Sequence, residues 1–412
     1  MKPSGSGQTM TVTSSRLPVR RLWVLGLIPL ILLAALVVLI IRSGAAAVLK
    51  NDAVPPIETL TFQRVQLASD GMVATVLNDG PDPVTIAQVQ VDDAYWHFTA
   101  EPSGALAHLH ETALTIPYPW VQGETHRIRV LTSTGMVFEH EIPVAVATPT
   151  PGWRYIGTFA LIGLYVGVIP VCIGLLWYPL VTRLGRRGFD FLLALAAGLL
   201  VFLLVDGAAE GFDTAGRLPR SYQGPALFAV AAAAAYLGLE ALGQSLRRWN
   251  SGRGVASGWV LALLVATGIG LHNFGEGLAI GAAFTLGEAA LGSLLIIGFA
   301  LHNTTEGLAI VAPLARQREG PSRISPGALI QLGMIGGVPT IIGAWLGGFV
   351  YSQVWALLCL GLGVGAIAQV VAQILGQMAG DQPLAQFLAS RPVLAGLLTG
   401  FFVMYATGML IG

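Results

Sequence analysis

Two stretches, "HNFGEGLAIGAAF" from His272 and "HNTTEGLAIVAPL" from His302, write the same polar pattern, His-Asn-x-x-Glu-Gly, inside otherwise apolar sequence. On a helix, His and Glu four positions apart share one face, separated by ~6 Å of rise. An imidazole nitrogen and a carboxylate at that spacing can hold one cation. Two such faces turned toward each other offer His272, Glu276, His302 and Glu306, two nitrogen and two carboxylate ligands. That set suits a borderline divalent ion, zinc first, with iron, manganese or cobalt also accommodated. Asn273 and Asn303, one step round the helix, carry amide oxygens for a second ion beside the first. The only cysteines, Cys172 and Cys359, both lie in apolar runs, so thiolate clusters and a disulfide framework are excluded.

A single histidine in such surroundings is as readily a packing residue as a ligand. Two histidines and two glutamates in a repeated pattern are different. Each ionisable group at mid-bilayer costs at least ~2.5 to 3.5 kcal/mol, and such groups mark a pathway or a site.

The elements that must position these residues are membrane helices. The chain is 54% hydrophobic and 11% charged, against about 25% charged in an ordinary soluble domain. Its formal net charge of zero gives no attraction for nucleic acid. A first apolar run, residues 22–42, follows a cytoplasmic tail, residues 1–21, and is long enough to span as an uncleaved anchor, with a cleaved signal peptide as the competing reading because "SGAAA" follows. From residue 151 to 412 the apolar sequence divides at polar breaks into eight spans: 155–180, 190–211, 224–246, 257–284, 287–314, 325–350, 353–378 and 392–411. The breaks after the first, third and fifth spans hold Arg183, Arg186 and Arg187; Arg247, Arg248 and Arg253; and Arg316, Arg318 and Arg323. With Arg16, Arg20 and Arg21 they mark the cytoplasmic side, so residues 43–150 and the C-terminus are expected outside a plasma membrane. His272 and His302 each fall about 15 residues into their spans, on adjacent antiparallel helices.

Residues 43–150 have a different period. Short runs such as "TLTFQRVQL", "MVATVLNDG", "VTIAQVQVD" and "HRIRVLTSTG", separated by Asn78-Asp79-Gly80 and Thr134-Gly135, predict six or seven strands and an immunoglobulin-like β-sandwich. A Pro-rich linker, Thr148 to Trp153, leads into the membrane. Five of the seven histidines lie in this region: His97, His108, His110, His126 and His140. If "HLH" is strand, His108 and His110 share a face beside Glu111 and could capture metal, although solvated surface histidines account for them more simply.

The paired motifs on the fourth and fifth of eight spans resemble those of the ZIP (Zrt/Irt-like) divalent metal transporters, over about Trp153 to Gly412. The resemblance implies an all-α, eight-helix bundle whose first three and last three helices are inverted repeats around the metal-binding fourth and fifth. It further implies ATP-independent movement of zinc or a similar ion toward the cytoplasm. By position, His272, Glu276, His302 and Glu306 would form the main site and Asn273 and Asn303 a neighbouring one, with one glutamate bridging. Asp206 and Glu210 stand where the family commonly has His and Glu four apart in the second span, near an outer entrance. This sequence departs from the family in having Gly275 and Thr305 where Pro often precedes the motif glutamate, and Val338 where some members carry a carboxylate. Gln369, Gln373 and Gln377 sit at helical spacing where acidic groups would be expected, with polar packing as their favoured role, and the third-span loop lacks a histidine-rich tract.

The expected function is therefore transport of divalent metal, which is cargo, with no prosthetic group and no catalysis. A zinc-dependent intramembrane hydrolase is the first alternative, but both glutamates would be needed to complete its ligand set, leaving no base. A metal-gated receptor or adaptor is the second. Expected partners are divalent metal ions and the lipid bilayer; a homodimer is compatible with the sequence, and it leaves the ligand of the β domain open.

Overall fold

A computed structural model describes residues 28–29, 31–36, 38–39, 56–148, 152–250, 257–285, 289–314, 324–350, 352–380 and 382–409. The chain divides into two compact units, Met1–Ile57 and Glu58–Gly412. In the first, the described residues between 28 and 39 are helical with exposed side chains. The remainder of the expected anchor, the N-terminal arginines, Arg253, Arg316, Arg318, Arg323 and residues 149–151 of the linker lie outside the described residues.

The second unit begins with eight strands: β1 Leu60–Ala68, β2 Gly71–Asn78, β3 Ile86–Val91, β4 Ala94–Trp96, β5 Thr99–Glu101, β6 Glu111–Ile116, β7 His126–Thr132 and β8 Val137–Ile142. They form two antiparallel four-stranded sheets, ordered β1-β2-β6-β5 and β4-β3-β7-β8. Alternation along the strands turns Val65, Leu67, Met72, Ala74, Leu114 and Ile116 of one sheet toward Val89, Val91, Ile128 and Val130 of the other, and these enclose one core. β4 and β5, three residues each, bring the count to eight where six or seven strands were expected. The β3–β4 hairpin turns on Asp92 and Asp93, whose φ values of 51° and 66° are those a two-residue type I′ turn needs.

Asp92 also ties the domain together. Its Oδ2 accepts from Tyr118 Oη and His126 Nδ1, both at 2.7 Å, and its Oδ1 accepts from the Arg127 backbone N–H at 2.9 Å. Burial works to raise the Asp92 carboxyl, but these hydrogen bonds outweigh it and hold it below the ordinary range. The same partnership, after burial, pushes Tyr118 up to about 12.

The rest of the unit is helical. α1, Trp153–Val181, is a span interrupted by a π-helical turn at Leu164–Val168. α2 is Arg186–Arg217, α3 Gly224–Asn250, α4 Ser257–Thr285, α5 Ala289–Val311, α6 Pro326–Phe349, α7 Gln353–Ala379 and α8 Arg391–Gly408. Among the described residues seven of these, α1 to α7, are long and apolar enough to cross a membrane, so the chain is a multi-pass membrane protein with a separate β region. α8, 18 residues opened by Arg391, falls outside that set.

Helices associate in lipid where small residues let backbones approach. α4 packs along α6 through Gly277, Gly281, Gly343 and Gly347: a Cβ on Gly277 would meet the Thr340 carbonyl carbon at 2.8 Å. α1 packs along α5 in the same way, a Cβ on Gly174 meeting Gly307 Cα at 2.7 Å. α2 pairs with α8, and α3 with α7. Within the α3–α7 pair the buried Gln369 Nε2 donates to Glu240 Oε2 at 3.0 Å, a polar packing contact. At one end of the bundle Asp79, in the β2–β3 connection, accepts from Ser221 Oγ at 2.9 Å and the Arg220 backbone N–H at 3.2 Å. The β region therefore sits at the end where α2 stops and α3 starts.

Candidate metal centre

The α4–α5 crossing brings both motifs together. Ligand atoms of His272, Glu276, His302 and Glu306 all lie within 4.8 Å of one another, with His272 half-buried and the other three buried. Glu276 is central. Its Oε1 faces Nε2 of His302 in a close contact and Nε2 of His272 at 3.4 Å, and its Oε2 accepts from Asn303 Nδ2 at 3.0 Å. Glu306 is the opposite case: both of its carboxylate oxygens are buried and make no well-formed hydrogen bond, the Asn273 amide being their polar neighbour. A buried carboxylate left so is costly unless a cation or a proton neutralises it.

The two asparagines are oriented by backbone. Asn303 Nδ2 also donates to the Val166 carbonyl at 2.9 Å, and Asn273 Nδ2 donates to the Gly336 carbonyl at 3.1 Å. A carbonyl accepts and cannot donate, so the nitrogen of each amide is held there and the oxygen is the atom left over. Asn273 Oδ1 and Asn303 Oδ1 are both buried and unpartnered. Pro170, which has no N–H to give, follows the π-helical turn Leu164–Val168 that holds Val166, so the backbone ladder of α1 is interrupted beside the carbonyl that Asn303 uses. Pro339 leaves the Ile335 carbonyl without its helical donor, one residue before Gly336.

Asp206 and Glu210 on α2 are exposed. With His272, Glu276 and His302 they line one cavity of about 40 Å³, so the carboxylates of α2 open onto the four-residue cluster. Asp213, one turn further, pairs instead with Arg217 at 2.5 Å.

The sequence pointed to the side chains and missed the backbone acceptors. Val166 and Gly336 are apolar or featureless in type, and the only signal for them was a proline inside each apolar run. For "HLH" the strand alternative fails and the favoured reading, exposed surface histidines, holds. Residues 107–110 form a turn before β6, Leu109 has φ 59°, and His108 and His110 do not alternate on a strand. His108 Nδ1 bonds the Gly80 carbonyl at 2.8 Å and His110 Nδ1 the His108 carbonyl at 3.0 Å. His126 is buried against Asp92, and His140 stacks on Phe62 with ring centres 5.2 Å apart.

In chemical terms the cluster offers two imidazoles, two carboxylates and two amide oxygens in a helix-lined setting. No family model matches the chain, and no characterised protein matches it in sequence.

Proposed function

We propose that the chain is a membrane transporter of divalent metal cations, zinc first, with iron, manganese or cobalt as alternatives, and that the ion crosses through the α4–α5 cluster. The observation that carries this reading is the pairing of Glu276, already hydrogen-bonded, with Glu306, whose two buried oxygens make no well-formed hydrogen bond, between two histidines. A divalent ion offsets both charges at once and accepts nitrogen donors from His272 and His302. Asn273 and Asn303 supply oxygens for a neighbouring position, and Asp206 and Glu210 receive the ion at the mouth of the cavity. The reading assigns no catalytic step.

The architecture we infer is ZIP-like, with α8 as an eighth span. The pairing of helices supports it: α1 lies on α5 as α6 lies on α4, and α2 lies on α8 as α7 lies on α3. An inverted repeat that relates α1–α3 to α6–α8 and exchanges α4 with α5 generates both sets. The asparagine contacts obey the same exchange, Asn303 to α1 and Asn273 to α6. For the β region, the strand orders match the ABED and CFG sheets of an immunoglobulin-like sandwich with one strand added beside C. We assign it, with the C-terminus, to the outside of a plasma membrane.

The test is initial zinc uptake into proteoliposomes at matched protein levels. Glu276→Gln and Glu306→Gln keep volume and remove charge, and each should lower uptake roughly tenfold or more, the equivalent of about 1.4 kcal/mol of lost affinity. Uptake at the parent rate in either variant rejects the two-helix site.

A further inference from the structure

A second polar cavity, of about 210 Å³, lies far from the cluster in kind and setting: it is formed where β1 and β8 meet the ends of α2 and α7. Among its lining residues Gln63 Nε2, Arg64 Nε and Gln353 Oε1 are buried atoms with no hydrogen-bond partner. Three orphaned polar atoms around one cavity are uncommon in a folded protein, where buried polar groups are almost always paired.

The strand is shaped to present two of them. The β1–β2 register slips between Phe62 and Arg64, leaving Gln63 as the extra residue of a β-bulge. Leu60 and Phe62 face the sandwich core before the bulge, and Val65 and Leu67 face it after. Gln63 and Arg64 consequently stand side by side on the other face. Bulges recur beside binding sites because they re-aim side chains in this way.

Charge defines the occupant. Arg217 is paired with Asp213, and Glu141 with Arg127 at 3.4 Å. Arg64 has no ion pair among the described residues, and burial draws its guanidinium below the ordinary value with no carboxylate beside it to restore it. His140, which burial lowers, forms a neutral wall. The cavity thus holds one uncompensated cation, a neighbouring amide donor and, across from them on α7, an amide acceptor. An oxyanion that accepts from Gln63 and Arg64 while giving an O–H to Gln353 completes all three. Arg217 is the last residue of α2 and Gln353 the first of α7, both membrane-crossing by length and composition, so the cavity lies beside the ends of two candidate spans.

We propose that this cavity is a phosphate-binding site, taking either the phosphoglycerol headgroup of a bilayer lipid or free phosphate. Both carry acceptor oxygens for an arginine fork and a hydroxyl donor. The occupant braces β1 against α2 and α7.

The test uses the full chain, delipidated in neutral detergent, and reads its thermal midpoint against two probes: inorganic phosphate and dioctanoyl phosphatidylglycerol, with dioctanoylglycerol as the phosphate-free control. At least one phosphate probe should raise the midpoint in a saturable way while the control does not. A response to the lipid alone assigns the headgroup; a response to inorganic phosphate assigns the phosphate group itself. Arg64→Gln should weaken the response tenfold or more. Gln353→Leu, which leaves β1 untouched, should weaken it severalfold and stands in if Arg64→Gln does not fold. The proposal is overturned if neither probe shifts the midpoint, if the control shifts it equally, or if the folded variants respond as the parent does. The readout is binding, so it is independent of whether the chain moves metal.

Discussion

The amide nitrogen of Asn303 bridges the Val166 carbonyl, at 2.9 Å, and Glu276 Oε2, at 3.0 Å. One side chain thereby joins α1 to the α4 carboxylate through α5. The carbonyl it uses lies in the π-helical turn that precedes Pro170, so the interruption in α1 and the asparagine in α5 meet at one place. Asn273 on α4 makes the corresponding contact to α6.

This relationship yields a prediction for Asn303→Ala. Both Asn303 and Glu276 are buried, and the substitution strands a carbonyl and a carboxylate oxygen together. The expected cost is roughly 1 to 3 kcal/mol of stability, visible as a lowered thermal midpoint in detergent. Substitution of Pro170 by Ala in the same background adds an N–H within reach of this turn, so the double variant should recover part of the loss. No recovery would mean that the Val166 contact does not hold Asn303.

How far the sequence went toward this arrangement depends on what kind of information each element carries. The two His-Asn-x-x-Glu-Gly turns were legible because ionisable residues are costly in apolar spans, and repetition at the same depth makes them face each other. Six of the eight strands were legible from alternation. β4 and β5 were not, because three residues are too few to display a period, and "AYWHFTAE" carries both. "HLH" looks like alternation but sits in a turn, where Leu109 occupies the left-handed region and the histidines bond nearby carbonyls. The contact from Gln369 to Glu240 needed the packing of α3 on α7, which no local pattern encodes. Backbone acceptors such as Val166 and Gly336 have no side-chain signature at all.

Close helix contact should make two neighbouring glycines of α4 behave differently. A Cβ added at Gly275 meets nothing within 4 Å, whereas one at Gly277 meets the Thr340 carbonyl carbon at 2.8 Å and Ala344 N at 2.9 Å. Gly277→Ala must push α6 away and should cost about 1 to 3 kcal/mol. Gly275→Ala should be neutral or stabilise the helix by up to ~1 kcal/mol. Thermal unfolding followed by tryptophan fluorescence separates them, and equal midpoints would contradict the α4–α6 packing.

The β region should have an acid-sensitive component centred on Asp92. Its carboxyl is held below its ordinary value of 3.8 by Tyr118, His126 and the Arg127 N–H, against the opposing effect of burial. A group depressed on folding stabilises the folded state fully above its unfolded value, and that contribution fades as pH falls through the folded value. A fragment of residues 56–148 should therefore melt higher than its Asp92→Asn form at pH 6, and the gap should close below about pH 3.8. Asn tolerates the positive φ of the turn, so the comparison isolates charge. A gap that persists unchanged at pH 2.5 would assign the difference to the turn instead.

The orientation we propose rests on the arginines and on the end of the bundle that carries the β region. Asp79 meets the α2–α3 connection, and Ser352 precedes α7 at an end reached by the cavity that β1 and β8 share with α2. Arg183, in the α1–α2 connection, and Arg186 and Arg187, which open α2, lie at the opposite end, as do Arg247 and Arg248 at the close of α3. Positive residues are retained on the cytoplasmic side. In a chain whose two native cysteines are replaced, single cysteines at Ser69 and Ser352 should react with an impermeant maleimide on intact cells. One at Ser322, in the α5–α6 connection, should react only after permeabilisation. External labelling at Ser322 together with protection at Ser69 would invert the assignment, and with it the direction in which Asp206 and Glu210 face.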